Sequence, residues 1–95
     1  MTHKANHGEF GCKYSHRSQA YPFGGGIEFD FIAKRDGRSY QFICRVPKVM
    51  YKLDDLKDGD LMSIFYEIKQ DNEGETYMLV KYILTDEEKQ RRLEF

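Results

Sequence analysis

Ile27-Glu28-Phe29-Asp30-Phe31-Ile32-Ala33-Lys34-Arg35-Asp36-Gly37-Arg38-Ser39-Tyr40-Gln41-Phe42-Ile43-Cys44-Arg45-Val46 is the stretch whose reading decides the fold. Ile27, Phe29, Phe31 and Ala33 alternate with Glu28, Asp30, Ile32 and Lys34, and Tyr40, Phe42, Cys44 and Val46 alternate with Ser39, Gln41, Ile43 and Arg45. A period of two is the mark of a strand with one buried face. Between the two runs stands Asp36-Gly37, the dipeptide that a tight primed turn favours because its central residues need positive φ. Residues 27–46 are therefore a β-hairpin. Pro47 ends its second arm, since it has no N–H to donate to a ladder.

Outward from this hairpin, the pattern repeats. On the N-terminal side, Phe10, Cys12 and Tyr14 alternate with polar residues over 9–15 and predict a first strand. Residues 1–8 are polar, without period, and read as a flexible arm. Residues 16–26 contain Pro22 and Gly24-Gly25-Gly26 and read as a long, slack loop carrying Tyr21 and Phe23. On the C-terminal side, Val49, Leu53 and Leu56 stand at helical spacing, so a short helix should plug one end of the sheet. The acidic run at 54–60 is a turn rich in side chains that bond their own backbone. A second hairpin follows, with strands at 61–69 and 76–84 around a turn containing Asn72 and Gly74. Met62, Ile64, Tyr66 and Ile68 share one face of the first strand with Leu61 and Phe65 on the other, which marks a central strand, and Met78, Val80, Tyr82 and Leu84 share one face of the second. Thr85 and Glu88 have capping-box spacing and open a C-terminal helix.

The order strand, strand, strand, short helix, strand, strand, helix predicts a mainly β fold: a small five-stranded OB-like (or SH3-like) barrel, with a short helix between strands 3 and 4 and a C-terminal helix. The likeness lies in strand order and in the Leu56-Lys57-Asp58-Gly59-Asp60-Leu61 turn, which resembles the turn feeding the fourth strand of OB-type barrels. It spans about residues 27–85. Residues 9–95 are read as a single domain, because 95 residues leave little room for a second core.

Composition narrows the function classes. No apolar run approaches the roughly 20 residues of a membrane-crossing helix, and the N-terminus has no secretory apolar core. A cytoplasmic protein that does not engage membranes is expected. With two cysteines, Cys12 and Cys44, the chain carries fewer than a small oxidised scaffold usually does, so both are read as reduced thiols. His3, His7, Cys12 and His16 are the only set that invites a zinc reading, but structural zinc sites usually contain paired cysteines. No metal or other cofactor is expected. Cys12 with His16 lacks an evident orienting carboxylate or oxyanion hole, and the triple glycine is not followed by the Lys-Ser or Lys-Thr of a nucleotide-binding loop. The acidic turn lacks the terminal glutamate of a calcium loop. A non-catalytic binding domain is the expectation.

The formal charge of −1 conceals a division. Residues 1–52 hold nine Lys/Arg against four Asp/Glu, and residues 53–95 hold six against twelve. Nine of the 14 aromatic residues share the basic half. Cations among rings suit single-stranded DNA or RNA, whose phosphates are neutralised while its bases stack. The candidate phosphate contacts are Lys13, Arg17, Lys34, Arg35, Arg38 and Arg45, and the candidate stacking rings are Tyr14, Tyr21, Phe23 and Tyr40. Glu28 and Asp30 would oppose such a ligand if they shared its face. The competing expectation is a regulator or inhibitor that binds a protein partner through an exposed strand edge or its acidic half. The sequence leaves homo-oligomer formation open.

Overall fold

The computed structural model describes residues 6–93. Its elements are β1 (His7–Arg17), β2 (Tyr21–Phe23), β3 (Gly26–Arg35), β4 (Arg38–Cys44), α1 (Pro47–Asp54), β5 (Leu61–Gln70), β6 (Thr76–Thr85) and α2 (Asp86–Leu93). The hairpin at the centre of the sequence is present: β3 and β4 pair antiparallel from Phe29–Cys44 to Arg35–Arg38 around a turn at Asp36-Gly37. Both central residues have positive φ, 52° and 77°, as a type I′ turn requires.

Five strands close into a mixed barrel in the order β1-β3-β4-β6-β5 and back to β1, with β2 added outside the ring on β3. All pairs are antiparallel except β4 with β6, which meet in parallel at Ile43–Leu79 and Cys44–Val80. With α1 inserted between β4 and β5, this is the OB-type order. Among the described residues no helix is long and apolar enough to cross a membrane.

The inward rows of β3 and β4 supply the centre of the core. Phe29, Phe31, Ala33, Phe42 and Cys44 are fully buried, together with Ile64, Ile83 and Leu53. The Phe31 and Phe42 rings, opposite one another in the register, stack with centroids 5.5 Å apart, and Tyr66 meets Phe42 edge-on at 5.8 Å. Helix α1 contributes Val49 and Leu53 to this cluster, which is the plug that its spacing predicts. The capping box of α2 forms as expected: the Thr85 hydroxyl accepts from the Glu88 N–H at 3.2 Å, and the Thr85 N–H donates to Glu88 Oε1 at 3.1 Å.

Three local expectations are corrected. First, Gly24-Gly25-Gly26 is not slack: Gly24 and Gly25 take φ of 52° and 83° and turn a small hairpin in which Tyr21 pairs with Glu28 and Phe23 with Gly26. Second, β6 does not keep one face throughout. Phe65 opposes Tyr82 but Tyr66 opposes Val80, so Lys81 is an extra residue. A bulge of this kind exchanges the two faces of the strand beyond it. Ile83 is therefore buried, and Tyr82, expected on the same face as Val80, is instead 46% exposed and stacks on Phe65. Ile68, near the end of β5 on the row of Met62 and Ile64, is also exposed. Third, β1 begins at His7, two residues before the expected start, because His7 and Gly8 continue the ladder with Glu67 and Tyr66. Of the expected arm, residues 1–5 lie outside the described residues.

Candidate nucleic-acid interface

The residues expected at an interface divide into two groups at opposite ends of the β3–β4 outer face, with a remainder built into the fold. The first group is organised by β2. Tyr21 and Phe23 are 45% and 43% exposed, held beside β3 by the tight glycine turn. The Arg45 guanidinium lies 4.3 Å from the Phe23 ring centroid and 5.7 Å from that of Tyr77. Its orientation is fixed by Glu28, whose Oε2 accepts from Arg45 Nε at 2.8 Å. Glu28 also accepts the hydroxyl of Tyr21. That bond to a carboxylate raises the Tyr21 pKa above its ordinary value, so the hydroxyl remains a neutral donor. Phe23, Arg45 and Tyr77 wall a groove of about 530 Å³ that runs towards the turn after β5.

The second group lies about 20 Å away along β3, taking six residues at ~3.3 Å each from Glu28 to Lys34. Lys34 stands directly opposite Lys13 across the β1–β3 ladder. Arg35 lies 5.0 Å from the Phe10 ring and within 3.8 Å of the Asp36 carboxylate. Arg38 is exposed beyond the turn. Among the described residues Lys13, Lys34 and Arg38 make no ion pair.

The remaining three candidates are placed elsewhere. Tyr14 is only 7% exposed and packs near Phe31, and Tyr40 is half-buried with its ring against Phe10 at 4.9 Å. Neither presents a ring face to solvent for a base. Arg17 grips Asp54 with two hydrogen bonds, 2.7 Å and 3.1 Å, tying β1 to the end of α1. The Arg17 bonds hold the Asp54 carboxyl below its usual pKa.

Glu28 and Asp30 do share the outward row with Lys34, but both are engaged. Glu28 bonds Tyr21 and Arg45, and Asp30 accepts from the Gln41 side chain at 3.0 Å. Tyr77 is the groove residue that sequence reasoning missed. It lies in the acidic half of the chain, and only the parallel β4–β6 contact brings it beside Arg45.

The other candidate chemistries are also located. His3 lies outside the described residues, His7 and His16 are exposed, and Cys12 is buried in the barrel. Among the described residues no three His, Cys, Asp or Glu side chains are grouped to hold a metal ion. Burial pushes the thiols of Cys12 and Cys44 up to about 11, which keeps both protonated near neutral pH. Within the acidic turn, Asp60 Oδ2 accepts from the Lys57 N–H at 2.9 Å and the Gly59 N–H donates to the Tyr14 carbonyl at 2.8 Å. Those bonds explain the turn without a cation. No protein-family model matches this sequence, and comparison with curated proteins finds no match.

Proposed function

We propose that this barrel binds single-stranded nucleic acid across the outer face of β3 and β4. The observation that carries the reading is the Phe23–Arg45–Tyr77 arrangement, in which an exposed Phe23 ring and a half-buried Tyr77 ring flank a planar guanidinium inside an open groove. This is the side of an OB-type barrel, between the first-hairpin loop and the last-hairpin turn, where oligonucleotides are taken. Bases stack on Tyr21, Phe23 and Tyr77, each useful stack contributing on the order of 1–3 kcal/mol. Lys34, Lys13 and Arg38 neutralise phosphates at the far end.

Fluorescence anisotropy with short single-stranded DNA and RNA, repeated over a series of salt concentrations, tests the proposal. Phe23→Ala and Tyr77→Ala should weaken binding with the salt slope unchanged, because a stacked ring releases no counterions. Wild-type protein that binds neither polymer at low salt refutes the reading.

A protein-binding alternative is favoured by one specific feature. Among the described residues β4 meets β6 only at Ile43 and Cys44, so residues 38–42 have a sheet partner on the β3 side alone. Beside that edge Ile43, Ile68, Tyr77 and Met78 line a groove of about 350 Å³. An extended peptide could pair with the edge and seat alternate side chains there. Protection of the residue 39–42 amides by a recovered partner, with no oligonucleotide binding, would establish this alternative.

A further inference from the structure

A second cleft, of about 720 Å³, lies across β1 from the hairpin turn and under α2. Its floor is Gly11, which stands opposite Ser63 in the β1–β5 ladder. A Cβ on Gly11 would meet no atom within 4 Å, and no positive φ demands glycine there. The empty space above the strand is therefore not imposed by backbone conformation.

Charge is what fills the rim. Lys13 and Lys34 are direct cross-strand partners, an arrangement of like charges that destabilises a sheet unless an anion offsets it. Neither has an ion-pair partner among the described residues. Arg35 lines the same cleft from the end of β3. From the opposite side Lys89 reaches in, its Nζ donating to Ser63 Oγ at 2.7 Å, while its nearest carboxylate, on Glu9, is 3.9 Å away. Two acids, Asp36 and Asp86, also line the cleft; Arg35 pairs with Asp36 and Lys89 with Glu9, which leaves Lys13 and Lys34 as the two lining cations without an ion pair among the described residues. A ligand bearing about two negative charges balances that set, and a phosphate supplies several strong acceptor oxygens with that charge. Leu61, 52% exposed on the wall, offers apolar contact to whatever the phosphate is attached to. The volume falls within the range typical of small-molecule sites.

We propose that this cleft binds the phosphomonoester group of a small, nucleotide-sized ligand, with the phosphate above Gly11 among Lys13, Lys34, Arg35 and Lys89. The proposal goes beyond the oligonucleotide reading and does not need it, since the rings at Phe23 and Tyr77 take no part. The phosphate can come from a free phosphorylated metabolite or from the end of an oligonucleotide.

Amide chemical-shift titration at low salt tests it with inorganic phosphate and adenosine monophosphate as probes. Saturable shifts at Gly11, Lys13, Lys34 and Ser63 are expected. Joint replacement Lys13→Gln and Lys34→Gln should weaken binding on the order of tenfold or more. Gly11→Val should abolish it while the melting temperature holds, because a β-branched residue suits a strand and this one has room. Absence of saturable shifts with both probes overturns the proposal. So does chloride reproducing the shifts at equal ionic strength, or a folded Gly11→Val that binds as wild type. A 5′-phosphorylated oligonucleotide outcompeting its unphosphorylated twin, an advantage lost in the double lysine variant, assigns the polymer end as the source. Adenosine monophosphate binding with no difference between the oligonucleotides assigns a free metabolite. Should no oligonucleotide bind at all, the mononucleotide titration still decides the cleft.

Discussion

Replacing Gly37 or Gly25 with valine separates two turns that share one backbone geometry but differ in what they support. Both glycines hold positive φ, 77° and 83°, and at neither does a Cβ meet an atom within 4 Å. The cost of a side chain is therefore conformational at both positions, on the order of 1–3 kcal/mol and at the upper end for a β-branched residue. At Gly37 that strain has no outlet. The β3–β4 hairpin carries Phe29, Phe31, Ala33, Phe42 and Cys44, all fully buried, so relaxing the turn means opening the core. The full strain should appear as lost stability, and at roughly 4–8 °C per kcal/mol for a domain of this size the melting temperature should fall by about 10–20 °C. Gly25 is different, because β2 can detach. What holds β2 is its short ladder, the bond from Tyr21 to Glu28 and the contact of Phe23 with Arg45. Beyond that three-residue ladder these are one exposed hydrogen bond and one exposed cation–π contact, so detaching β2 relieves the strain at a smaller cost than opening the core. Gly25→Val should therefore lower the melting temperature by less than Gly37→Val, while hydrogen exchange of the Tyr21 and Phe23 amides becomes fast. It should also weaken oligonucleotide binding, since the ring group disperses. Gly37→Asn should recover part of the loss at that turn, because asparagine tolerates left-handed backbone. Equal melting temperatures for the two valine variants, or protected Tyr21 and Phe23 amides in Gly25→Val, would refute the reasoning.

Three further outcomes are expected. Joint replacement Lys34→Gln and Arg38→Gln should reduce the salt slope of oligonucleotide binding by somewhat less than two log units per log of salt, read by anisotropy across base sequences. In Glu88, burial raises the carboxyl pKa, but hydrogen bonds from Lys52 and from the Thr85 N–H outweigh it, leaving the group below its usual range. A depressed carboxyl contributes stability that is present above its unfolded pKa of about 4.3 and is lost as pH falls through the folded value. Denaturant titrations should show Glu88→Gln less stable at neutral pH, by about 1 kcal/mol given its partial exposure, with the difference shrinking below about pH 4. Finally, Cys12 and Cys44 should resist thiol reagents in the native protein near pH 8 and react at once in denaturant, because burial holds both thiols protonated and covered.

The parts of the fold legible in the sequence are those specified by neighbours in the chain. Asp36-Gly37 between two alternating runs, Thr85 with Glu88, and Val49 with Leu53 each state their geometry within a few residues. The parts that were not legible depend on strands far apart. The bulge at Lys81 leaves apolar residues at both Tyr82 and Ile83, so alternation alone could place either inside, and the choice falls to Ile64 across the ladder. Pro22 and three glycines look like slack because the residues that hold β2, Glu28 and Arg45, lie 6 and 23 positions beyond Pro22. The candidate site suffered the same way. Tyr14 and Tyr40 belong to alternating rows whose inward sense fixes their burial, whereas Tyr77 reaches the groove only through a parallel strand contact that no local pattern announces.

The uneven charge of the two halves also changes meaning once pairing is known. Arg17 is matched by Asp54 and Arg45 by Glu28, so two of the cations in the basic half carry little free charge. Arg45 is better regarded as a flat, oriented spacer between Phe23 and Tyr77 than as a phosphate clamp. Glu28 then supports the proposed interface instead of opposing it, because its carboxylate orients the guanidinium in the groove. Lys13, Lys34 and Arg38, which make no ion pair among the described residues, sit about 20 Å along the sheet from the rings, by strand rise alone. A polymer engaging both ends must cross Asp30 and Ile32 in between, which are not cationic. Binding of that kind draws its counterion release from those three cations, so its salt slope should stay near about two log units per log of salt, at roughly 0.7 per phosphate on a single strand. Lys13 and Lys34 belong to both readings, so the two sites are told apart by the residues that each has alone, Phe23 and Tyr77 at the ring groove and Gly11 and Lys89 at the cleft.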